Sequence, residues 1–173
     1  MSNIEQYDLW NRVTDLRSDT SLEKRFDMNT RATRFNADPV PQYTIRHDHG
    51  FVFSQRSLGN LKGVDPRLVS IATLALTYSP IDFIVTDGLR TKEEQQVFFD
   101  KGLSKTMNSR HLTGHAIDVA VWHEGDVSWD EKLYASLYVH FKDAADRLNY
   151  PLEWGGNWSG SWDSVHYQIP WKA

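Results

Sequence analysis

Hydrophobic positions recur at helical spacing in three stretches of the chain. Leu9, Val13 and Leu16 share one stripe behind a Ser2/Glu5 capping box, which predicts a short N-terminal helix. Leu68, Ile71, Leu74, Ala75 and Tyr78 share another, opened by Asp65-Pro66 with the proline in the first turn and stopped by Ser79-Pro80. Leu133, Leu137, Phe141, Ala144 and Leu148 form the third, with Ser128 and Glu131 read as its cap and Tyr150-Pro151 as its end. A further capping box, Thr91 with Glu94, starts a helix that runs to about Lys101-Gly102, and a polar loop continues to Ser109.

Strand signals lie between these stretches. Ile81 to Thr86 is a short apolar run closed by Asp87-Gly88, and residues 115 to 122 alternate, with Ile117, Val119 and Val121 on one face and Ala116, Asp118, Ala120 and Trp122 on the other. The six residues before Pro170 alternate well enough for a last strand. Helices mixed with short, non-repeating strands predict an α+β fold rather than a wound parallel sheet.

Patterning also divides the chain. Only 16 of the first 50 residues are apolar, and that stretch breaks at Asp38-Pro39-Val40-Pro41, so residues 1–50 are expected to form a partly helical extension and residues 51–173 the folded domain. Length agrees: 173 residues suit one domain with an appendage. A formal charge of −4 gives no basic surface for tracking phosphates, which argues against nucleic acid. No run approaches the roughly 18 apolar residues that cross a bilayer, and no basic-then-apolar leader opens the chain, so a chain made in the cytoplasm without membrane insertion is expected.

With no cysteine, a transition metal has only His and carboxylate ligands to use. Seven histidines are candidates. His140 on the long helix and His123 beside Glu124 read as ordinary partly buried or loop residues. His47-Asp48-His49 puts two imidazoles on one face of an extended segment, but in polar surroundings outside the firm core. The segment Ser109-Arg110-His111-Leu112-Thr113-Gly114-His115-Ala116-Ile117-Asp118 is more informative, because Asp118 sits between Ile117 and Val119 in an apolar strand, where a carboxylate needs a cation. A backbone or Arg partner would satisfy Asp118 taken alone. The second piece, Asp163-x-x-His166 in an aromatic, glycine-rich tail, shifts the balance toward a metal.

Together the two pieces resemble the signatures of the hedgehog-like, D-Ala-D-Ala carboxypeptidase-type zinc peptidases, and within them the phage L-alanyl-D-glutamate endopeptidases. The family pattern Ser-x-His-x-x-Gly-x-Ala-x-Asp is met by Ser109, His111, Gly114, Ala116 and Asp118, and the resemblance spans about residues 54 to 169. It implies one catalytic zinc held by His111, Asp118 and His166 with a fourth position left for water, Asp163 as general base, and Arg90 on the substrate carbonyl or its oxyanion. It also implies the hedgehog/D-Ala-D-Ala peptidase-like fold, a small antiparallel sheet flanked by helices with an N-terminal extension. Gly114 reads as meeting a backbone need and Ser109 as holding loop or substrate through its hydroxyl. Six tryptophans follow residue 121; most suit a core, with Trp154 and Trp158 the candidates for a substrate wall.

The implied activity is hydrolysis of the L-Ala–D-Glu bond of the peptidoglycan stem by zinc-activated water. An Asp at the base position, in place of Glu, leans toward the endolysin branch. The alternatives are a D-Ala-D-Ala carboxypeptidase or dipeptidase, and a virion protein that docks on a phage tail through residues 1–50. A zinc-bearing binder without hydrolysis fits less well, because a binder has no need of Asp163. Otherwise the expected protein is a monomer that waits in the host cytoplasm and acts on the cell wall.

Overall fold

A computed structural model describes residues 49–160 and 163–172. The expected N-terminal helix, most of residues 1–50, and His47 and Asp48 lie outside the described residues.

The elements in chain order are α1 (Gln55–Asn60), α2 (Pro66–Tyr78), β1 (Asp82–Asp87), α3 (Lys92–Asp100), a 3-10 turn (Arg110–Thr113), β2 (Ala116–His123), β3 (Asp126–Ser128), α4 (Glu131–Leu148), β4 (Glu153–Trp154), a second 3-10 turn (Gly155–Asn157) and β5 (His166–Gln168). The fold is α+β, as the pattern predicts.

Every strand pairing is antiparallel, in the order β1-β2-β5-β4, with β3 also on β2. One edge of β2 is taken by β1, and the other is shared by β5 against residues 116–118 and β3 against residues 121–123. Alternation along β2 then decides what each face carries. Ile117, Val119 and Val121 join Phe83, Val85 and Tyr167 in a core that α2 closes with Leu68, Ile71 and Ala75, and α4 with Leu137, Phe141 and Ala144. Phe141 stacks on Tyr167 at 3.9 Å between ring centroids. The opposite face carries a second, smaller cluster of Ile84, Ala120, Trp122 and Val127. Asp118 shares that face by its register in β2.

Three local expectations need correction. Asp130, not Ser128, caps α4 by accepting from the Lys132 N–H, while Ser128 ends β3. The last strand spans three residues rather than six, because only His166–Gln168 find partners. Trp154 belongs to the core: it stacks on Tyr138 at 4.5 Å, and its indole N–H donates to the Ser164 carbonyl at 2.8 Å. Short α1, β3 and β4 carry too few residues to leave a periodic signal in the sequence.

Candidate metal centre

His111 reaches the site from the first 3-10 turn. Ser109 caps that turn by accepting from the His111 N–H at 3.3 Å, and Gly114 ends it in the left-handed region at φ 69°. A Cβ on Gly114 would also stand 2.2 Å from the Gly63 carbonyl oxygen, so glycine is required twice over. Next to His111, Arg110 donates to the carbonyls of Ile169 and Pro170 at 2.9 Å each, tying the turn to the end of the strand that carries His166. Asp118 and His166 are register partners on β2 and β5.

These placements bring three donor atoms together. His111 Nε2 lies 3.2 Å from Asp118 Oδ1 and 3.3 Å from His166 Nδ1, and His166 Nδ1 lies 3.0 Å from the same carboxylate oxygen. A tetrahedral zinc with bonds of about 2.0–2.1 Å has ligand-to-ligand edges of about 3.3 Å. The opposite nitrogens are occupied: His111 Nδ1 is 2.7 Å from the Gly88 carbonyl, to which only an N–H can bond, so Nε2 carries the lone pair. His166 Nε2 is 3.1 Å from Gln168 Oε1. Lone pairs converging on a shared carboxylate oxygen are repulsive until a cation or proton enters, so the donor set fits a metal. Among the described residues this is the group of that kind.

Arg90 follows a β-bulge at which Thr86 and Asp87 face Asp118 together. It is only 7% exposed and donates through Nη2 to Asp118 Oδ2 at 2.8 Å, through Nε to Asp87 Oδ2 at 2.7 Å and through Nη1 to Gln95 Oε1 at 3.2 Å. Asp118 is thus held at its outer oxygen by Arg90, leaving Oδ1 to the imidazoles. Burial alone would raise the Asp118 carboxyl, but His111, His166 and Arg90 together hold it well below the usual carboxylate range. His166 is lowered by burial and raised further by its bond to Asp118 and the charges of Asp118 and Asp163, for a net upward shift.

Asp163 is brought to the site by the second 3-10 turn. The Gly155 carbonyl accepts from the N–H groups of both Asp163 and Trp158, at 3.0 and 3.1 Å. Burial, then the nearby Asp118 charge, pushes the Asp163 carboxyl up, against the opposing pull of His166, His111 and Arg90. Trp158 is half-buried and leans on His166 with ring centroids 5.1 Å apart. Of the anticipated residues, the structure therefore gathers His111, Asp118, His166, Arg90, Asp163 and Trp158 around one point. Ser109 stands behind His111, and Trp154 is in the core. His123 is exposed, near Glu124.

The pattern along the chain does not mark Asp87, Gln95, Arg110, Gln168 or Glu153 as site residues. Gln168 alone left a trace, lying two residues after His166 and so on the same strand face.

Comparisons with known proteins bear on this arrangement. The family described as phage L-alanyl-D-glutamate peptidase matches residues 49–169. The L-alanyl-D-glutamate peptidase of Escherichia phage T5 is 32% identical over 117 residues, 65% of this chain and 85% of that protein. That of Listeria phage A118 is 32% identical over 124 residues, 70% of this chain but 43% of the longer relative. Among solved structures, the L-Ala D-Glu endopeptidase ChiX of Serratia marcescens superposes with a TM-score of 0.65 at 42% identity, over 68% of this chain and 89% of that one.

Proposed function

The chain belongs to the phage L-alanyl-D-glutamate peptidase family, and from that premise we propose that it is a zinc-dependent peptidoglycan endopeptidase that cuts between L-alanine and D-glutamate in the stem peptide. The observation that carries the proposal is the convergence of His111 Nε2, Asp118 Oδ1 and His166 Nδ1 at tetrahedral-edge separations beside a carboxylate with a raised pKa. Those three side chains would hold the metal. A zinc ion bound there would polarise the scissile carbonyl and make a water acidic enough to attack near neutral pH.

The chain's own residues have distinct tasks in this reading. Asp163 takes the proton from the attacking water and passes it to the leaving amine of D-glutamate, a role for which an upward-shifted carboxyl is suited. Arg90 commits three donors to Asp87, Gln95 and Asp118, so its first task is to hold the Asp118 carboxylate, while its positive charge favours the negative charge that develops on the scissile carbonyl. Trp158 offers an apolar wall for the stem peptide beside His166. Ser109 supports the turn that presents His111. The substrate is the cell wall, reached from the host side as a release lysin. Residues 51–173 form the peptidase domain, with residues 1–50 as an extension that would dock on a tail component if the protein travels in the virion.

Digestion of purified Gram-negative peptidoglycan, followed by mass spectrometry of the new termini, tests this. The expected products begin at D-glutamate, disappear with chelator and return with zinc. Release of D-alanine instead would assign the protein to carboxypeptidase chemistry, and intact wall in the presence of bound zinc would overturn the enzyme reading.

A further inference from the structure

His166 is held from behind by a chain of side chains that the reaction does not touch. Gln168 lies two residues along β5 on the same face, and its cross-strand partner on β4 is Glu153. Gln168 Nε2 donates to Glu153 Oε2 at 2.6 Å, and Gln168 Oε1 faces His166 Nε2 at 3.1 Å. Gln168 is 6% exposed, a buried amide with both ends matched.

The order of these groups has a direction. A carboxylate offers acceptors alone, so the amide nitrogen must turn toward Glu153. Oε1 then faces His166, and Nε2 of the ring has to carry the proton. The lone pair is left on Nδ1, the atom that meets Asp118 and His111. We propose that Glu153 and Gln168 are positioning residues that set the tautomer and the angle of His166, so that Nδ1 is presented to the metal before any metal arrives. Glu153 acts without touching the ring. The inference rests on the reading of the site as a zinc centre, and partners behind a ligating imidazole typically account for about 10- to 100-fold in metal affinity.

The experiment is zinc affinity by competition with a chromophoric chelator, with melting of the metal-free proteins followed by circular dichroism. Glu153→Gln keeps the shape but frees the Gln168 amide to flip and offer its N–H to His166; Gln168→Leu removes the acceptor. Each is expected to weaken zinc binding by about 10- to 100-fold. The swap of Glu153→Gln with Gln168→Glu restores the direction of the chain, since the new carboxylate accepts from both neighbours, and is expected to return affinity to the wild-type range. Zinc affinity of Glu153→Gln equal to wild type, or a swap no better than Glu153→Gln at an unchanged melting temperature, would overturn the relay. A readout free of substitutions is the long-range proton–nitrogen spectrum of the zinc-loaded wild type: a proton on His166 Nε2 supports the proposal and a metal on Nε2 refutes it. A wild-type protein that takes up no zinc would instead sink the zinc reading beneath it.

Discussion

At the residue scale, the roles proposed for the site separate cleanly by substitution. Asp163→Asn keeps the shape and removes the base, so it is expected to retain stoichiometric zinc and lose about 10²- to 10⁴-fold in hydrolysis. Loss of zinc in that variant would make Asp163 a ligand. His111→Ala is expected to lose zinc and activity together, since it deletes one of three donors; full zinc loading in it would refute the ligand set. Asp65, outside the donor cluster, gives a pH prediction. It caps α2 and takes hydrogen bonds from Arg67, which hold its carboxyl below the usual 3.8 against the opposing effect of burial. A depressed folded-state pKa contributes stability that is present in full above the unfolded value and fades as pH falls through the lower folded one. Asp65→Asn keeps a good helix cap and removes the charge, so it should cost roughly 0.2–1 kcal/mol at neutral pH. In denaturant titrations, that difference from wild type should vanish on acidification well below pH 3.8.

At the element scale, short irregular pieces do the placing, and glycines let them. The second 3-10 turn passes so close to Asp163, the proposed base, that a Cβ on Gly155 would lie 2.4 Å from the Asp163 carbonyl oxygen. Gly155→Ala is therefore expected to displace Asp163 and lower kcat, by about 10²-fold for each ångström of misplacement, while zinc affinity holds. Chelator competition run alongside the rate measurement checks both halves, and equal losses of each would point to general unfolding. Gly88 works on one of the three proposed metal ligands: its carbonyl accepts from His111, and an added Cβ would stand 2.0 Å from the Asn60 carbonyl oxygen. Gly88→Ala should push that carbonyl off the ring and weaken zinc binding by about 10- to 100-fold.

At the scale of the whole molecule, the antiparallel sheet separates two jobs. One face builds the core with α2 and α4, and the other carries Asp118, His166 and Gln168 in a row across β2 and β5. Because the described residues hold both the core and the entire proposed site, removing residues 1–48 is expected to leave cleavage of soluble wall fragments unchanged. A truncated protein that still melts cooperatively but no longer cuts would give the extension a part in catalysis. No helix among the described residues is long and apolar enough to cross a membrane.

The chain by itself determined the class of fold, the two long helices, the central strand and the three donor residues His111, Asp118 and His166. Helical stripes around Leu68 and Phe141 and the alternation of residues 115–122 are local patterns, set by the period of the backbone, and a spaced motif of His, Gly and Asp survives in one dimension. Antiparallel register was not local. It decided that Asp118 stands beside His166, that Gln168 faces Glu153, and that a bulge at Thr86 lets Arg90 close on the outer oxygen of Asp118. Trp154 shows the same limit from the other side, since an indole beside two glycines reads as a cleft wall until packing on Tyr138 puts it in the core. Side-chain chemistry can be read along the chain, whereas distance between residues far apart in it is decided by strand pairing and burial, which only the folded molecule brings about.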